Sequence, residues 1–257
     1  MRALITGGAR GIGAATVRLF AASGYEVITN YRTSRAQAEA LEAETGCVAL
    51  EADLSREDGR RKLFEEVCAR AGTPDVLVNN AGVSLFGPFD AIDAERAREM
   101  YETNLFGVTE LCRLFVPGMI RRKSGCIINV SSVWGLSGAS CEADYSASKA
   151  AVSALTAALA KELGPSGIRV NCVAPGVIDT DMNARLSYEE AMEITEKYSS
   201  HEAWQSGGNS VGDSFSRIRR RLIYHRADDS GRRRFFISKK CNMSKNSLHF
   251  FLLYDNI

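Results

Sequence analysis

The chain has 257 residues, of which 45% are hydrophobic and 25% are charged. This length and composition suit one α/β core and require no second domain. No apolar run is long enough to cross a bilayer and no secretory signal precedes the first strand, so we expect a cytoplasmic protein without membrane contact. The seven cysteines show no CxxC spacing, which argues against disulfides and cysteine zinc sites.

The net charge of +1 conceals two different compositions. Residues 198–257 contain 11 Lys and Arg against 5 Asp and Glu, whereas the whole chain contains 32 against 31. The last sixty residues are therefore basic and the part before them is acidic.

The chain opens with a short apolar strand at 3–6, a glycine turn at 7–13 and a helix from Ala14. Glycines at such a turn allow a pyrophosphate to approach the backbone at the helix N-terminus, where free N–H groups and the helix dipole favour anions. A spaced-glycine motif alone is weak evidence, but the order strand, turn, helix strengthens it.

Further β-rich runs at 25–29, 47–51, 76–79, 126–130 and 169–173 alternate with helix-length segments such as 34–45 and 56–71. This alternation predicts βαβ units, and hence a single α/β domain with a doubly wound parallel sheet, the Rossmann fold. Ligands of such sheets bind beyond the carboxyl ends of the strands. The informative polar and glycine residues follow those strand ends.

Six motifs occur in a characteristic order: TGGARGIG at the start, NNAG at 79–82, Asn104 in ETNLFG, NVSS ending at Ser132, YSASK from Tyr145 to Lys149, and APGVIDTDM at 174–182. Together they resemble the classical short-chain dehydrogenase/reductase family. The resemblance covers residues 1–197 and implies an NAD(P)-binding Rossmann catalytic domain that transfers hydride to or from a carbonyl group.

The resemblance assigns catalytic roles to Asn104, Ser132, Tyr145 and Lys149. Tyr145 would protonate the carbonyl oxygen, where negative charge develops during hydride transfer. Lys149 lies four residues later on the same helix face, so we expect its cation to lower the pKa of the phenol from about 10. The resemblance also implies that Lys149 holds the nicotinamide ribose, that Ser132 binds the substrate carbonyl and that Asn104 anchors a water chain.

The second strand bears on the choice of cofactor. Members of the family that prefer NAD carry an acidic residue at its end, whereas here Tyr31 and Arg32 stand there and Arg10 lies in the glycine turn. Both arginines can bind a 2′-phosphate, so we expect NADPH in preference to NADH. The expected cofactor residues are Gly7, Arg10, Gly11, Ile12, Gly13, Tyr31, Arg32, Asp53, Leu54, Asn80, Ala81, Gly82, Tyr145, Lys149, Pro175, Gly176, Ile178 and Thr180.

Other chemistry finds little support in the sequence. No histidine precedes His201, which excludes a Ser-His-Asp triad and any histidine metal site from the body of the chain, so we expect no metal. The SxxK pattern from Ser146 to Lys149 lacks the partner motifs of acylating serine enzymes.

Two substrate classes stay open. The overall pattern is most similar to 3-oxoacyl-[acyl-carrier-protein] reductases of fatty acid synthesis, and the basic run at 121–123 could dock an acidic carrier protein. The segment WGLSGASCEADYS at 134–146 instead looks like the loop of reductases that act on a 5-aminopentanone group of elongation factor P. In that reading Glu142 pairs with the substrate amine and Trp134 packs along its aliphatic stem.

The chain departs from the family at Tyr198. Read one base out of phase, suitable codons for Ser199–Ser210 encode IPLMRLGRAEEI, and those for Arg217–Ser238 encode ASDDASYITGQTIRVDGGFS, both of which match the family pattern. We therefore interpret 198–257 as an aberrant C-terminal tail produced by a frameshift. The family's last strand and much of its homo-oligomer interface are then missing, and we expect an unpaired sheet edge.

Two functions other than ketone reduction are also considered because of the C-terminal tail. Its arginines and aromatic residues could form a nucleic-acid-binding appendage, but the shifted frame already explains those arginines, so no nucleic acid is expected. A scaffold that binds the cofactor without turnover is the remaining alternative.

Overall fold

The computed structural model describes residues 1–176 and the backbone of 222–227 and 233–237. Within these residues, six parallel strands form the centre of the fold in the order β3-β2-β1-β4-β5-β6. This is the strand order of the Rossmann fold, so the predicted fold class is confirmed. The strands are β1 (Arg2–Ile5), β2 (Glu26–Tyr31), β3 (Val48–Glu51), β4 (Val76–Asn79), β5 (Gly125–Val130) and β6 (Ile168–Pro175).

Helices connect the strands and cover both faces of the sheet. They are α1 (Gly11–Ala22), α2 (Arg35–Thr45), α3 (Glu57–Ala71), α4 (Ala94–Tyr101), α5 (Gly107–Arg122), α6 (Trp134–Ser137) and α7 (Ala143–Leu163), with short 3₁₀ turns at Phe89–Ala91 and Gly164–Ser166. A π-helical turn, Glu102–Phe106, joins α4 to α5 without a break. Such turns often mark functional positions in helices.

The sheet is buried on both faces, which explains its continuous apolar strands. Successive side chains of a strand point to opposite faces, so neighbours in sequence enter different cores. Leu4 and Leu77 pack in the core that includes Leu63 of α3. Ile5 and Val78 pack in the other core, which includes Val17 of α1 and Leu41 of α2.

The strand order reverses between β1 and β4, and this is where a ligand cleft forms in doubly wound sheets. Thr6, directly after β1, joins the two strand ends: its N–H donates to the Val78 carbonyl at 2.9 Å, and its Oγ1 accepts from the N–H groups of Asn80 and Ala81 at 3.0 Å each. The two segments that flank the cleft are thus fixed to each other.

Two further strands come from the C-terminal tail. β7 (Leu222–Ala227) pairs antiparallel with β6, with Cys172 opposite His225, and β8 (Arg233–Ile237) pairs antiparallel with β7. The expectation of an unpaired edge at β6 is therefore wrong. The tail contains the runs LIY and FFI, whose β-branched and aromatic residues favour strands. The boundary proposed between residues 197 and 198 lies outside the described residues.

In the part of the chain that the structure describes, no helix has the length and apolar character needed to span a membrane.

Candidate active site

A cleft opens over the carboxyl ends of the central strands and brings together most of the predicted site residues. It is lined by Gly7, Arg10, Gly11, Ile12, Gly13, Tyr31, Arg32, Asp53, Leu54, Asn80, Ala81, Gly82, Ser132, Trp134, Glu142, Tyr145, Lys149, Pro175 and Gly176. Asn104 is fully buried behind the wall of the cleft. Ile178 and Thr180 lie outside the described residues.

The glycine turn forms one end of the cleft, and its residue types follow from its geometry. Gly7 has φ +65°, a left-handed conformation that glycine adopts without a steric penalty. A Cβ atom on Gly13 would lie 2.2 Å from the Gly7 carbonyl oxygen, so no side chain fits there. Helix α1 begins at Gly11, and no side chain caps its N-terminus. The first N–H groups of α1 can therefore receive a phosphate.

The second strand and the segment after β3 form the adjoining wall. Asn30 fixes this wall to the glycine turn, because its Oδ1 accepts from the Gly7 N–H at 3.0 Å and its Nδ2 donates to the Ala52 carbonyl at 3.0 Å. The Asp53 carboxylate accepts hydrogen bonds from the N–H and hydroxyl of Ser55 at 2.9 and 2.7 Å. These contacts give the wall a fixed shape.

Arg10 and Arg32 lie on the cleft rim, and both side chains are exposed. Arg10 lies in the glycine turn, and Arg32 directly follows β2. The adenosine ribose binds at these positions in a Rossmann fold. The rim beside Arg32 also includes Thr33 and Ser34. A guanidinium can form two hydrogen bonds with one phosphate, and hydroxyl groups can supplement them.

Ser132, Tyr145 and Lys149 meet at the opposite end of the cleft. Ser132 follows β5, whereas Tyr145 and Lys149 lie one turn apart on α7. All three are buried, with exposures of 7, 8 and 4%. The Tyr145 phenol lies near enough to Ser132 for that residue to affect its pKa, and the Lys149 Nζ lies 5.8 Å from the centroid of the Tyr145 ring. The spacing of the motifs therefore does bring these groups together.

The pKa of Tyr145 differs from the expectation. We expected Lys149 to lower it, but the pKa is raised to about 12, mainly by burial and also by the negative charge of Glu142, and the interaction with Ser132 offsets only part of this rise. Desolvation of the phenolate outweighs the favourable contact. Tyr145 therefore keeps its proton at neutral pH in the ligand-free protein.

Lys149 is itself perturbed by burial, which lowers its pKa to about 8. Its ammonium donates to the Val130 carbonyl at 2.9 Å. The group also packs close to Gly82, because a Cβ atom on that glycine would lie 3.2 Å from the Lys149 Nζ. Lys149 is therefore held between the end of β5 and the NNAG segment.

Asn104 occupies the π-helical turn, and its amide binds the backbone of Val83 on both sides. Its Oδ1 accepts from the Val83 N–H at 2.8 Å, and its Nδ2 donates to the Val83 carbonyl at 2.9 Å and to the Ser148 hydroxyl at 3.2 Å. Asn104 thereby connects the NNAG segment to α7. The water chain implied by the family resemblance stays a prediction.

Glu142 lines the cleft immediately before α7, and only 6% of it is exposed. Its Oε1 accepts a hydrogen bond from the Ser84 hydroxyl at 3.1 Å. Its negative charge also contributes to the raised pKa of Tyr145. Trp134 also lines the cleft, and its backbone N–H donates to the Ser132 hydroxyl at 3.2 Å.

Several polar residues of the cleft were not among those predicted from the sequence, namely Asn30, Thr33, Ser34, Ser84 and Thr103. Thr33 and Ser34 could have been found from their position directly after Arg32. Ser84 carried no such signal, because only the fold shows that it faces Glu142. Among the described residues, no group of three or more His, Cys, Asp and Glu side chains is arranged to hold a metal ion.

A Rossmann sheet with a glycine turn, a buried tyrosine and lysine one helical turn apart, and a serine beside the phenol defines a nicotinamide-dependent oxidoreductase. Sequence comparison agrees, since the short chain dehydrogenase family matches residues 1–191. The chain therefore belongs to the short-chain dehydrogenase/reductase family and is an NAD(P)-dependent oxidoreductase that acts on a CH–OH or C=O group.

Individual relatives give the same result. The chain is 42% identical over 201 residues to the uncharacterised oxidoreductase YmfI of Bacillus subtilis, covering 76% of this chain and 82% of that protein. It is 40% identical over 192 residues to the 3-oxoacyl-[acyl-carrier-protein] reductase FabG of Staphylococcus aureus, covering 73 and 78%. Among solved structures, a short-chain dehydrogenase from Sphingobium yanoikuyae in complex with NADPH has a TM-score of 0.66 at 32% identity and covers 72 and 74%.

Proposed function

We propose that this protein reduces a ketone with NADPH, and that the ketone is a 3-oxoacyl thioester on a carrier protein. The observation that carries the proposal is the buried, protonated phenol of Tyr145, which interacts with Ser132 inside a cleft that also contains the glycine turn. A general acid must be protonated and within reach of the developing oxyanion.

The residues of the cleft fit a dinucleotide. The uncapped N-terminus of α1 and the close approach at Gly13 provide space and N–H donors for a pyrophosphate. A bound nicotinamide cofactor supplies the hydride. The proposed contacts of this chain are the Asp53 and Leu54 segment with the adenine, the segment Asn80 to Gly82 with its ribose side, and Pro175 with the nicotinamide.

The proton-transfer roles follow from the buried end of the cleft. Tyr145 donates its proton to the carbonyl oxygen, and Ser132 donates a hydrogen bond to the same oxygen. Lys149 contributes positive charge beside the phenol and a donor for the nicotinamide ribose. Asn104 holds the NNAG segment through Val83, which keeps the wall opposite Tyr145 in place.

The preference for NADPH rests on Arg10 and Arg32. Both are exposed at the rim where the adenosine ribose lies in this fold, and no acidic side chain stands at the end of β2. An additional phosphate on that ribose gains charge-assisted hydrogen bonds from guanidinium groups. The ribose of NADH offers only a neutral hydroxyl at the same place.

The carrier-bound substrate is supported by the FabG relative and by the basic end of α5. Arg121 and Lys123 are exposed there, whereas Arg122 donates to the Thr73 and Pro74 carbonyls and forms part of the fold. Exposed positive charge favours an acidic carrier protein. The proposed partners therefore include an acyl carrier protein, with a homo-oligomer as the assembly that the family implies.

The test is oxidation of NADPH, followed at its absorbance band, with an acetoacetyl thioester as substrate. We expect turnover by the unmodified chain and none by Tyr145→Phe, which keeps the ring and removes the acid. Saturable NADPH binding without turnover in the unmodified chain would favour the scaffold alternative. Absence of NADPH binding would contradict the proposal altogether.

A second substrate class is favoured by one specific observation, the buried carboxylate of Glu142 beside Tyr145. A carboxylate that lines the cleft can bind a cation, and a substrate that carries both a ketone and an amine would place its ammonium group there. The 5-aminopentanone modification on elongation factor P has this chemistry. Trp134, which also lines the cleft, offers an apolar surface for its aliphatic stem.

Glu142→Gln separates the two substrate classes. For an amino ketone we expect the kcat/KM to fall about tenfold, because a charge-assisted contact is lost, while the kcat/KM for an acetoacetyl thioester changes less than about twofold. Asp144→Asn is the matched control, since Asp144 lies two residues away and pairs with the Tyr101 hydroxyl at 3.2 Å. Equal losses for both substrates in Glu142→Gln would exclude the amino ketone.

We also propose that residues 198–257 are a frameshift product. The family match ends at residue 191, and the shifted frame restores the family pattern beyond it. Resequencing the codons around Lys197 and Tyr198 tests this directly, and an intact reading frame for the present tail would refute it. A frame-restored version is expected to show higher activity and to assemble into oligomers.

A further inference from the structure

Arg60 is a buried cation outside the cleft. It lies in the first half of α3, and only 4% of it is exposed, although its neighbour Arg61 has a side chain that is 63% exposed. A guanidinium is rarely buried unless several partners satisfy it. The partners of Arg60 therefore show what its burial achieves.

The guanidinium joins three segments of the chain. Its Nη1 donates to the Leu54 carbonyl at 2.9 Å, to the Glu102 carboxylate at 3.0 Å and to the Glu102 carbonyl at 3.4 Å. Its Nε forms a short hydrogen bond with the Glu110 carboxylate on α5. Leu54 belongs to the cleft wall, and Glu102 begins the π-helical turn that contains Asn104.

Glycines bring the same segments into close contact. A Cβ atom on Gly59 would lie 2.0 Å from the Asp53 carbonyl oxygen, so α3 is seated directly against the cleft wall. On the other side, a Cβ atom on Gly107 would lie 3.4 Å from the carbonyl oxygens of Leu54 and Glu102. The Gly107 N–H also donates to the Glu102 carbonyl, so α5 begins directly beside the two carbonyls that Arg60 binds.

We propose that Arg60 is a positioning residue that fixes the wall formed by Asp53 and Leu54 relative to the π-helical turn of Asn104. It connects the end of the cleft that receives the adenine to the turn that holds the NNAG segment. Arg60 touches neither cofactor nor substrate. The effect on cofactor binding rests on the proposed dinucleotide site, whereas the effect on the two segments does not.

The test compares Arg60→Met with Arg61→Met, an equal change at the exposed neighbouring position. Amide hydrogen exchange of the ligand-free full-length chain is measured by mass spectrometry. We expect Arg60→Met to accelerate exchange by about tenfold or more in both segments, 53–56 and 102–107, because charge-assisted hydrogen bonds to both are lost. Arg61→Met is expected to change neither. Unchanged exchange in either segment of Arg60→Met would overturn the proposal.

Cofactor binding provides the second readout. We expect Arg60→Met to weaken NADPH binding about tenfold, and Arg60→Lys to recover part of the affinity, since an ammonium keeps the charge but has fewer donors in fixed directions. If the unmodified chain binds no NADPH, the proposed function fails while the exchange result still decides the role of Arg60. If Arg60→Met does not fold, Glu110→Gln replaces it, with faster exchange expected in the same two segments and the same overturning result.

Discussion

The two ends of the cleft differ in how far their side chains are exposed to solvent. At the end proposed to bind the cofactor, the uncapped N-terminus of α1 and the exposed residues Arg10 and Arg32 line the cleft. At the catalytic end, Ser132, Tyr145 and Lys149 are all at least nine-tenths buried. The arginines proposed to bind phosphate thus remain hydrated, whereas the groups proposed to transfer protons are desolvated, and burial shifts the pKa values of Tyr145 and Lys149.

The largest effect is expected from Tyr145→Phe, which should lower the rate of catalysis and leave cofactor binding at the other end of the cleft nearly unchanged. Loss of the general acid is expected to lower kcat by about 10³-fold, in the range usual for such groups. The affinity for NADPH should change less than about twofold, because the phenol hydroxyl would contribute only one of the many contacts expected along the dinucleotide. Steady-state kinetics and fluorescence titration measure the two quantities. Equal losses of kcat and affinity would contradict a division of labour between the two ends.

The second largest effect is expected in the pH dependence of kcat/KM, which should come from the buried groups at the catalytic end. Burial lowers the pKa of Lys149 from 10.5 to about 8, so its positive charge is present below that pH and is lost above it. The kcat/KM for NADPH reports groups of the free enzyme, and it should be level near neutrality and fall about tenfold per pH unit above about pH 8. Tyr145, with its pKa of about 12, keeps its proton throughout this range.

Lys149→Met is the control for that profile. Its residual activity should be lower but should lack the decline near pH 8, since no ammonium remains to lose its proton. A level profile up to about pH 9.5 in the unmodified chain would show that the charge of Lys149 does not contribute to the reaction.

A smaller effect is expected at the cofactor end. Arg32→Ala should weaken NADPH binding about tenfold, the value of one or two charge-assisted hydrogen bonds, and leave NADH binding unchanged. The maximal rate with saturating NADPH should remain the same. Arg35→Ala is the control, because Arg35 lies three residues away and pairs with Glu51. An equal loss for both cofactors would place Arg32 outside the 2′-phosphate site.

The smallest effect is expected from a control variant that changes stability and lies outside both ends of the cleft. The Asp93 carboxylate caps α4 by accepting from the N–H groups of Glu95 and Arg96 at 3.0 Å each. Asp93→Ala should reduce the free energy of unfolding by about 1 kcal/mol, as measured by urea denaturation. Activity at room temperature should be unaffected. A loss of activity here would mean that general destabilisation explains part of the other results.

The sequence predicted the fold and most of the cleft because both depend on short-range patterns. Apolar strands, glycines with special geometry and the i, i+4 spacing of Tyr145 and Lys149 can be read from neighbouring residues. The direction of the Tyr145 pKa could not, because it depends on how completely α7 and the 132–142 segment exclude water. The pairing of Ser84 with Glu142 and the partners of Arg60 were also hidden, since they join residues about 40 to 60 positions apart.

The π-helical turn at Glu102–Phe106 has a consequence for how defects in this protein would be detected. One residue more than an α-helical turn requires is accommodated there, so removing one residue would leave α4 and α5 as one uninterrupted helix. Because the wide turn takes up the extra residue, the flanking helices would keep their orientation, and the displaced residues would be those of the turn itself, including Asn104 beside Val83. Circular dichroism would register an intact helical protein, although the support of the NNAG segment had gone.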